Sequence, residues 1–358
     1  MDLNKIIDVA SQQGASDVHI QPNREIYFRI DGRLTPAGSG VLSNKTIADL
    51  IEKSFSRRIV STYQKEKQAD FSFEAQSGVR VRVNLFQQNK GAALALRIIN
   101  SKIPEFSFTG LPHDVLERFK ALKHGLVLIV GATGQGKSTT MAALLNEKIQ
   151  EEACNVVTIE NPVEYIFQSK KSLVSQRQVG DDVVSFQAGV KSAMREDPDV
   201  ILVGEMRDYE TISAAISLAE TGHLVLSTMH ANNAIEVLGR MIESFPSEQQ
   251  NQIKIQLSSV LKMIISQKLV PNKEGKRTLA YEIMHSNYAI SNKIREGKLS
   301  QLAQVFELSA ADSGTICFEK CLLELVRAGK ITYKEALLHA TDQEKLKSLR
   351  NSADITDS

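Results

Sequence analysis

One ten-residue stretch, GATGQGKSTT at 131–140, constrains the fold of this chain more than any other. It fits G-x-x-x-x-G-K-[ST], the pattern of a phosphate-binding loop, which requires a buried strand before it and a helix after it. The apolar run at 126–130 predicts that strand, and residues 137–150 predict that helix. A chance glycine-rich turn rarely combines strand, glycines, lysine and hydroxyl in this order. The chain is therefore predicted to bind a nucleoside triphosphate.

The residue types in this loop suit a triphosphate and a divalent cation. Backbone N–H groups and the positive end of the following helix would surround the β-phosphate. Lys137 would neutralise oxygens of the β- and γ-phosphates, and the Ser138 hydroxyl would ligate Mg²⁺. The predicted nucleotide-binding residues are Gly131, Thr133, Gly134, Gln135, Gly136, Lys137, Ser138 and Thr139, with Ser138 also the metal ligand.

Length and charge limit the number of domains and the kind of partner. At 358 residues the chain is long enough for two domains, on a prior of about 100–200 residues each. A formal net charge of +1 gives no overall basic field for nucleic acid and no acidic field for a cationic substrate. The three cysteines are too few for a disulfide framework or a four-thiolate zinc site, which favours a reducing, cytosolic location.

Neither a signal peptide nor a membrane span is expected from the sequence. Asp2, Lys5 and Asp8 interrupt the N-terminus with charge. No apolar run approaches the roughly 20 residues of a membrane-spanning helix. Any association with a membrane is therefore expected to occur through a partner protein.

Residues 1–100 predict a small α+β domain. Its expected elements are a helix at 3–10, strands at 17–20 and 25–30, a helix from Ser43 to Phe55, and strands at 71–73, 79–85 and 93–99. The strand at 79–85 alternates apolar residues with Arg80 and Arg82, so its sheet is expected to carry unpaired arginines on an open face. Such arginines either coat a solvated face or act on a ligand.

A linker and a second domain are expected to follow. Residues 101–112 contain two prolines, a glycine and little periodicity, and are the predicted linker. The second domain is predicted over 113–345 and begins with a helix at 114–122. The segment 346–358 is predicted to be a disordered tail.

Two predicted strands of the second domain end in acidic residues. Glu160 follows a strand at 156–159, and Glu205 follows a strand at 200–203. Ligands of open parallel sheets bind at the carboxyl ends of the strands, and a hydrophobic strand ending in an acid after a phosphate loop is the Walker B pattern. Both carboxylates are therefore expected beside the bound phosphates.

Another predicted strand, at 224–226, is bracketed by His223 and His230. Ser227 and Thr228 follow it directly. Hydroxyl and imidazole groups at the end of a strand beside the phosphate loop would suit a sensor of the γ-phosphate, although a single histidine is as often structural. We expect both histidines beside the loop.

The remainder of the chain predicts mainly helices. The expected elements are one long helix over 247–269, a loop at 271–277, a strand at 278–284 and short helices at 291–298, 299–308 and 319–328.

Four blocks together resemble the secretion-type hexameric ATPases, and within them the branch of type IV pilus retraction ATPases. The blocks are the Walker A loop at 131–140, the acidic box TIENPVEY at 158–165, the Walker B block DPDVILVGEMRD at 197–208 and the histidine box TGHLVLSTMH at 221–230. GASDVHIQP at 14–22 and RIDGRL at 29–34 match the N-terminal domain of this family. The resemblance implies an α/β fold with an N-terminal PAS-like α+β domain and a C-terminal RecA-like P-loop ATPase domain.

Three departures from the family pattern bear on the branch. Assembly-type members carry a four-cysteine zinc module where this chain has only the loop 271–277. The segment AISNKIREGK at 289–298 differs at Ser291 and Lys293 from the motif typical of retraction ATPases. Asn161 replaces the aspartate usual in the acidic box. Whether the chain is a principal retraction motor or an accessory paralogue stays open.

The resemblance also implies roles for five residues in ATP hydrolysis. Glu205 would polarise the attacking water, and Glu160 would order that water or the Mg²⁺ shell. His230 would read the γ-phosphate state. Arg82 and Arg97 would act as arginine fingers on the nucleotide of a neighbouring subunit. Arg80 could substitute for either arginine.

The implied assembly is a homo-hexamer that uses ATP and Mg²⁺ to retract type IV pili. It would work in the cytoplasm, peripheral to the inner membrane, on an inner-membrane pilus platform protein and with a paralogous pilus ATPase as a further partner. No nucleic-acid partner is expected. The alternatives are an accessory paralogue with weak activity, an assembly-type pilus or secretion ATPase, and a nucleic-acid motor.

Overall fold

The computed structural model describes residues 1–38, 40–99, 102–309 and 314–351. The chain divides into two compact units. One consists of Met1–Lys102 with Pro162–Ile166, and the other of Ile103–Asn161 with Phe167–Ser358. The predicted linker contains a 3₁₀ helix at Phe106–Thr109, in which Phe106 is buried. Residue 101 of that linker lies outside the described residues.

The first unit is an antiparallel sheet with helices. The helices are α1 (Leu3–Gln12), α2 (Asn44–Ser54) and α3 (Arg57–Glu66). The strands are β1 (Asp17–Ile20), β2 (Tyr27–Ile30), β3 (Arg33–Pro36), β4 (Gln68–Glu74), β5 (Arg80–Gln88) and β6 (Gly91–Ile99). They are arranged in the order β3-β2-β1-β6-β5-β4, and the neighbouring strands are antiparallel. The predicted α+β character of this unit is confirmed.

Local sequence explains both the helix starts and the buried face of this sheet. Side-chain oxygens of Asp2, Ser43 and Ser56 accept hydrogen bonds from backbone N–H groups of the first helical turns, which otherwise lack partners. Val81 and Val83 of β5 are fully buried, while Arg80 and Arg82, which alternate with them, face the other side. One face of the sheet therefore packs into the core, and the opposite face carries the charged residues.

The second unit has the alternating strands and helices of an α/β fold. Its helices are α4 (His113–Ala121), α5 (Lys137–Glu151), α6 (Phe186–Ala193), α7 (Tyr209–Glu220), α8 (Ala234–Glu243), α9 (Gln250–Val260), α10 (Tyr288–Glu296), α11 (Leu302–Ser309), α12 (Phe318–Arg327), α13 (Tyr333–His339) and α14 (Gln343–Asn351), with a 3₁₀ helix at Leu299–Gln301. Its strands are β7 (Gly125–Val130), β8 (Asn155–Glu160), β9 (Leu173–Gln178), β10 (Val200–Val203), β11 (Leu224–Met229), β12 (Leu261–Pro271) and β13 (Arg277–His285).

These strands form one sheet in the order β13-β12-β7-β11-β10-β8-β9. The pairs are parallel except for the hairpin of β12 and β13. The central strands β7, β10 and β11 are buried along their whole length, as expected for parallel strands covered on both faces. The carboxyl ends of six parallel strands therefore meet at one edge of the sheet.

The prediction of one long helix over 247–269 is wrong. Helix α9 ends at Val260, and the chain continues directly into β12, which lies between β7 and β13. A strand with neighbours on both sides and cover on both faces is apolar without alternation, so its residues resemble those of a buried helix. The apolar run at 263–265 belongs to such a strand.

The C-terminal segment is more ordered than expected. Residues 343–351 of it form α14, and Leu346 is fully buried in a cluster with Phe318, Leu322 and Ala336. Residues 352–358, the rest of the predicted tail, lie outside the described residues. Among the helices of the described ranges, none combines the length and apolarity that crossing a membrane requires.

Candidate functional site

The candidate site is built where the parallel strands end. Strand register places Val130, the last residue of β7, beside Met229 of β11, and Val203 of β10 beside both Ser227 and Ile159. The residues at the carboxyl ends of β7, β11, β10 and β8, and those of β12 beside them, therefore lie in a row along one edge. The row from β12 to β8 is Gln267 within β12, Gly131, His230 and Glu205 just after their strands, and Glu160 as the last residue of β8. The phosphate loop, the end of β11 and the two acidic strand ends therefore lie at the same edge of one sheet.

The phosphate loop adopts the strand–loop–helix arrangement predicted for it. Helix α5 begins at Lys137, and Gly136 before it has φ of 81°, in the left-handed region that glycine tolerates. The Lys137 ammonium donates hydrogen bonds to the backbone carbonyls of Gly131 and Ala132, at 2.8 and 2.9 Å. The side chain of Lys137 is therefore folded back on the loop itself. A bound phosphate would replace those carbonyls as its partner.

Gln135, predicted as a nucleotide ligand, turns its side chain toward β12. Its Oε1 accepts a hydrogen bond from the Leu269 N–H at 2.5 Å, and its backbone carbonyl accepts one from Gln267 Nε2 at 2.6 Å. The Arg277 guanidinium lies 3.5 Å from the carbonyl of Gly134. The hairpin of β12 and β13 thus braces the loop.

Glu160 is a buried carboxylate at the end of β8. Its Oε1 accepts hydrogen bonds from the Thr158 hydroxyl at 2.7 Å and from Gln176 Nε2 at 3.1 Å. Both donors come from neighbouring positions of β8 and β9, so the carboxylate is held in one orientation. Charge-assisted hydrogen bonds of this kind offset the cost of burying the group.

Glu205 is held between a cation and an imidazole. Its Oε1 lies 2.6 Å from Arg207 Nη2, and its Oε2 lies 3.6 Å from His230 Nε2. The backbone supports this arrangement, because the Met206 N–H donates to the carbonyl of Thr228 at 3.1 Å. The structure therefore brings Glu205 and His230 together.

The loop that carries His230 is fixed by two charged residues of α8. Arg240 donates to the carbonyl of His230 at 2.6 Å and pairs with Glu236 at 2.7 Å. Glu236 in turn accepts hydrogen bonds from the backbone and side chain of Asn232, at 2.8 and 2.9 Å. This cluster sets where the loop leaves β11.

His223 does not belong to the site, contrary to the expectation from sequence. It precedes β11, and its carbonyl accepts a hydrogen bond from Gly125, the first residue of β7. It therefore lies at the opposite edge of the sheet from Gly131. Its Nδ1 contacts the hydroxyl of Thr221 and the carbonyl of Leu218, each at 3.0 Å, which is a structural role at the end of α7.

The arginines of the first unit lie on the charged face of its sheet, but they are not unpaired as expected. Arg82 and Arg97 are register partners on β5 and β6. Arg97 Nε lies 3.0 Å from Asp17, and Arg82 Nε lies 3.7 Å from Asp70. The side chain of Arg97 is 75% exposed and that of Arg82 is 51% exposed, whereas that of Arg80 is only 11% exposed.

Asp17 explains part of this pairing. Burial alone would raise the pKa of its carboxyl, but hydrogen bonds from Ser16 and Arg97 and the charge of Arg97 together lower the pKa below its ordinary value. The carboxylate therefore stays charged, and it lies near both Arg97 and Arg29. Sequence reasoning missed these partners because they are on different strands.

The oxygen donors at this edge fit a magnesium ion. Ser138 presents its hydroxyl in the first turn of α5, and Glu160 and Glu205 present carboxylates at neighbouring strand ends. Magnesium is bound in proteins by one or two such oxygens together with phosphate oxygens and water. Bound there, the ion would neutralise charge on the phosphates.

Gln267 was not predicted as a site residue because the strand that contains it, β12, was predicted as a helix. The signal was nevertheless present in the sequence: Met263, Ile264 and Ile265 form an apolar run that ends in the polar pair Ser266 and Gln267. The same pattern had identified Glu160 and Glu205. The register of β12 and β7 places Ser266 opposite Val130, the residue before the phosphate loop.

Comparisons with known proteins identify the family of this chain. The family model described as type II/IV secretion system protein matches residues 1–347. The chain is 38% identical over 336 residues to the type IV pilus retractation ATPase PilT of Pseudomonas aeruginosa, which covers 94% of this chain and 97% of that protein. It is 34% identical over 348 residues to the type IV pilus ATPase PilU of the same organism, which covers 97% of this chain and 91% of that protein.

A solved structure is similar along nearly the whole chain. The crystal structure of the pilus retraction motor PilT with bound ADP has a TM-score of 0.91 and 40% sequence identity, covering 97% of this chain and 99% of that chain. The predicted fold class, an N-terminal α+β domain with a RecA-like ATPase domain, is confirmed by this similarity and by the two units described above.

Proposed function

Because this chain belongs to the type II/IV secretion system protein family, we propose that it is the ATPase motor that powers the retraction of type IV pili. The protein is an ATPase. One observation carries the proposal most directly: the phosphate loop, Glu205, His230 and Glu160 stand side by side at one sheet edge, in a chain that matches a retraction ATPase over 94% of its length.

The proposed mechanism uses these groups for phosphoryl transfer to water. Lys137 exchanges the carbonyls of its own loop for β- and γ-phosphate oxygens, and Ser138 would hold Mg²⁺, which would neutralise phosphate charge. Glu205 orients the attacking water and accepts its proton, and Glu160 would order that water or the Mg²⁺ shell. Positioning and charge stabilisation supply most of the rate in such reactions.

His230 is proposed as the sensor that connects hydrolysis to movement. It lies 3.6 Å from Glu205 and at the start of the loop that α8 fixes, so a change at the γ-phosphate reaches α8 through one side chain. The other residues predicted at the loop, Thr133, Gly134, Gly136 and Thr139, would bind the phosphates mainly through their backbone N–H groups.

We further propose that six copies form a ring in which Arg82 and Arg97 act on the nucleotide of a neighbouring subunit. Arginine fingers raise phosphoryl-transfer rates by about 10³–10⁵. The exposure of both guanidinium groups supports this role, since each can exchange a carboxylate partner for a phosphate at little cost. The ring would act in the cytoplasm, peripheral to the inner membrane, on a pilus platform protein, with a paralogous pilus ATPase as a second partner.

An accessory retraction subunit is the second candidate. It is favoured by Asn161 and by the altered segment on α10. On α10, however, the two altered residues, Ser291 and Lys293, are partly exposed. The residues of this helix that pack into the core are Ile290 and Ile294. Steady-state ATP turnover by the purified protein separates an active motor from a weakly active subunit.

The direction of work is tested in cells. Deletion of the gene should leave cells with excess surface pili and without twitching motility, and complementation with the wild-type gene should reverse both. Complementation with Glu205→Gln should not. Cells without pili after deletion would instead indicate an assembly motor, and stimulation of the ATPase by DNA would indicate a nucleic-acid motor.

A further inference from the structure

The carboxyl end of β12 contacts the phosphate loop at three points. The side-chain Nε2 of Gln267 donates a hydrogen bond to the carbonyl of Gln135 at 2.6 Å. The N–H of Leu269 donates to Oε1 of Gln135 at 2.5 Å. The backbone carbonyl of Gln267 lies so close to Gly131 that a Cβ there would be 2.6 Å from it. Strand β12 thus holds the loop at its first residue and near its middle.

The orientation of the Gln267 amide is fixed by this contact. Rotating the amide by half a turn would place two acceptor oxygens against each other, so Nε2 must face Gln135. The residue is only 1% exposed, and its Oε1 is buried without a hydrogen-bond partner among the described residues. Gln267 also lines a cavity of about 130 Å³ together with Gly131, Gln135 and Lys268.

Packing alone does not account for a glutamine at this position. A buried amide oxygen without a donor destabilises the folded state, whereas methionine or leucine of similar size would not carry that cost. The compensating interaction is the hydrogen bond to the phosphate loop. The glutamine at this position is therefore explained by its hydrogen bond to the phosphate loop and not by its packing in the core.

The contacts with β12 are separate from those that nucleotide binding disturbs. Lys137 donates hydrogen bonds to the carbonyls of Gly131 and Ala132, and we expect it to exchange both for phosphate oxygens when a nucleotide binds. The hydrogen bonds of Gln135 with Gln267 and Leu269 do not involve Lys137. They can persist while the lysine moves, so the backbone N–H groups of the loop keep their places.

We propose that Gln267 and Gln135 form a latch that positions the phosphate loop for ATP. The latch rests on the proposed function only in taking this loop as the ATP site. Gln267 is a positioning residue that acts through Gln135. The backbone of Gln135 contributes to nucleotide binding, and its side chain anchors the loop to β12. Loss of the latch leaves the loop free to shift, so nucleotide affinity falls while the chemical step changes less.

The test compares Gln267→Met with Gln256→Met in the full-length protein. The control removes a 2.8 Å hydrogen bond between Gln256 and Glu220, away from the loop. Affinity for a fluorescent ADP analogue and steady-state KM and kcat for ATP are measured for both. We expect Gln267→Met to raise the ADP Kd and the KM about tenfold, with kcat changed less than KM, and Gln256→Met to match wild type.

The outcomes distinguish the latch from the site itself. Wild-type protein that does not bind the ADP analogue would overturn the assignment of the ATP site. Wild-type binding with a Gln267→Met Kd within about twofold would overturn the latch, and a lowered Tm in that variant would then mark a purely structural residue.

Gln135→Met tests the same latch from the loop side, where the residue is only half-buried and folding is less at risk. It removes the acceptor for Leu269 N–H, and we expect a loss of ADP affinity close to that of Gln267→Met. The double variant should bind ADP little more weakly than either single variant, because the two contacts act as one unit and breaking the second adds little to breaking the first. Unchanged affinity in Gln135→Met, or fully additive losses, would overturn the proposal.

Discussion

The carboxylate of Glu205 lies 2.6 Å from the guanidinium of Arg207, two positions further along the chain. Arg207 is mostly exposed, so this ion pair is open to water and contributes little to stability. Glu205 can therefore leave Arg207 for a water molecule at low cost. The pair holds the proposed catalytic carboxylate in a defined resting place at the end of β10.

Glu205→Gln should separate binding from turnover. Glutamine keeps the volume of the side chain but cannot accept a proton from water, so we expect ADP affinity close to wild type and a kcat lower by about 10²–10⁴. Both are measured on the purified protein. Glu243→Gln, an exposed glutamate on α8, is the matched control and should leave both values unchanged. Hydrolysis by Glu205→Gln at the wild-type rate would remove Glu205 from its proposed role.

Gly131→Ala should damage the loop through a single methyl group. Its Cβ would lie 2.6 Å from the Gln267 carbonyl, and a backbone atom in the middle of a sheet cannot move aside freely. We expect unfolding free energy to fall by about 1–3 kcal/mol and ADP affinity to fall with it. Thermal unfolding and ADP titration measure the two effects.

Gly239→Ala is the control for that substitution. Gly239 lies within α8, and the nearest atom to an added Cβ is Leu299 Cδ1 at 3.9 Å. Alanine favours a helix interior over glycine by about 0.5–1 kcal/mol, so this variant should be slightly more stable. Equal behaviour of the two alanine variants would contradict the close approach of β12 to the loop.

Arg82→Gln and Arg97→Gln test the proposed arginine fingers. Each variant should bind ADP normally and lose most of its ATPase activity, since a finger acts on the transition state. Arg80→Gln should instead lower stability, because the Arg80 side chain is only 11% exposed and the shorter glutamine loses packing contacts of its aliphatic part. The measurements are kcat, ADP affinity and Tm.

Mixed assemblies show whether the fingers act between subunits. An inactive Arg97→Gln protein mixed with inactive Glu205→Gln protein should regain activity, because some interfaces then pair an intact arginine with an intact glutamate. Activity that never exceeds the mean of the two separate proteins would contradict action between subunits.

The fold and much of the site follow from local sequence patterns. Glu160 and Glu205 could be predicted because each ends an apolar strand in a chain that also carries a phosphate loop. His223 was misplaced because a histidine before a strand and one after it look alike in sequence, although they lie at opposite edges of the sheet. Periodicity distinguishes faces of an element, and it does not distinguish its two ends.

Contacts between distant segments could not be predicted. Gln135 and Gln267 are 132 positions apart, and Asp17 and Arg97 are 80 apart. Such pairs depend on strand order and register, which the sequence of either strand alone does not contain. The arginines were therefore recognised as residues of an open face, and their carboxylate partners were not.

His285 should make the stability of the second unit depend on pH. The pKa of its imidazole is lowered from the ordinary 6.5 to about 4, chiefly by burial and also by the charge of Arg118, while the charge of Asp114 partly opposes the shift. Between these two values the unfolded chain binds a proton that the folded chain does not, so stability falls as pH falls through this window. The slope is at most about 1.4 kcal/mol per pH unit for one group.

His285→Gln should remove this dependence. The free energies of unfolding of the variant and of wild type are compared by urea titration from about pH 7 to about pH 4. Wild type should lose stability relative to the variant as the pH falls from 6.5 to about 4, and the loss levels off only below that window. His124→Gln, at an exposed position before β7, controls for the loss of an imidazole elsewhere. A constant difference between wild type and His285→Gln across the range would show that His285 takes up its proton equally well in the folded and unfolded chains.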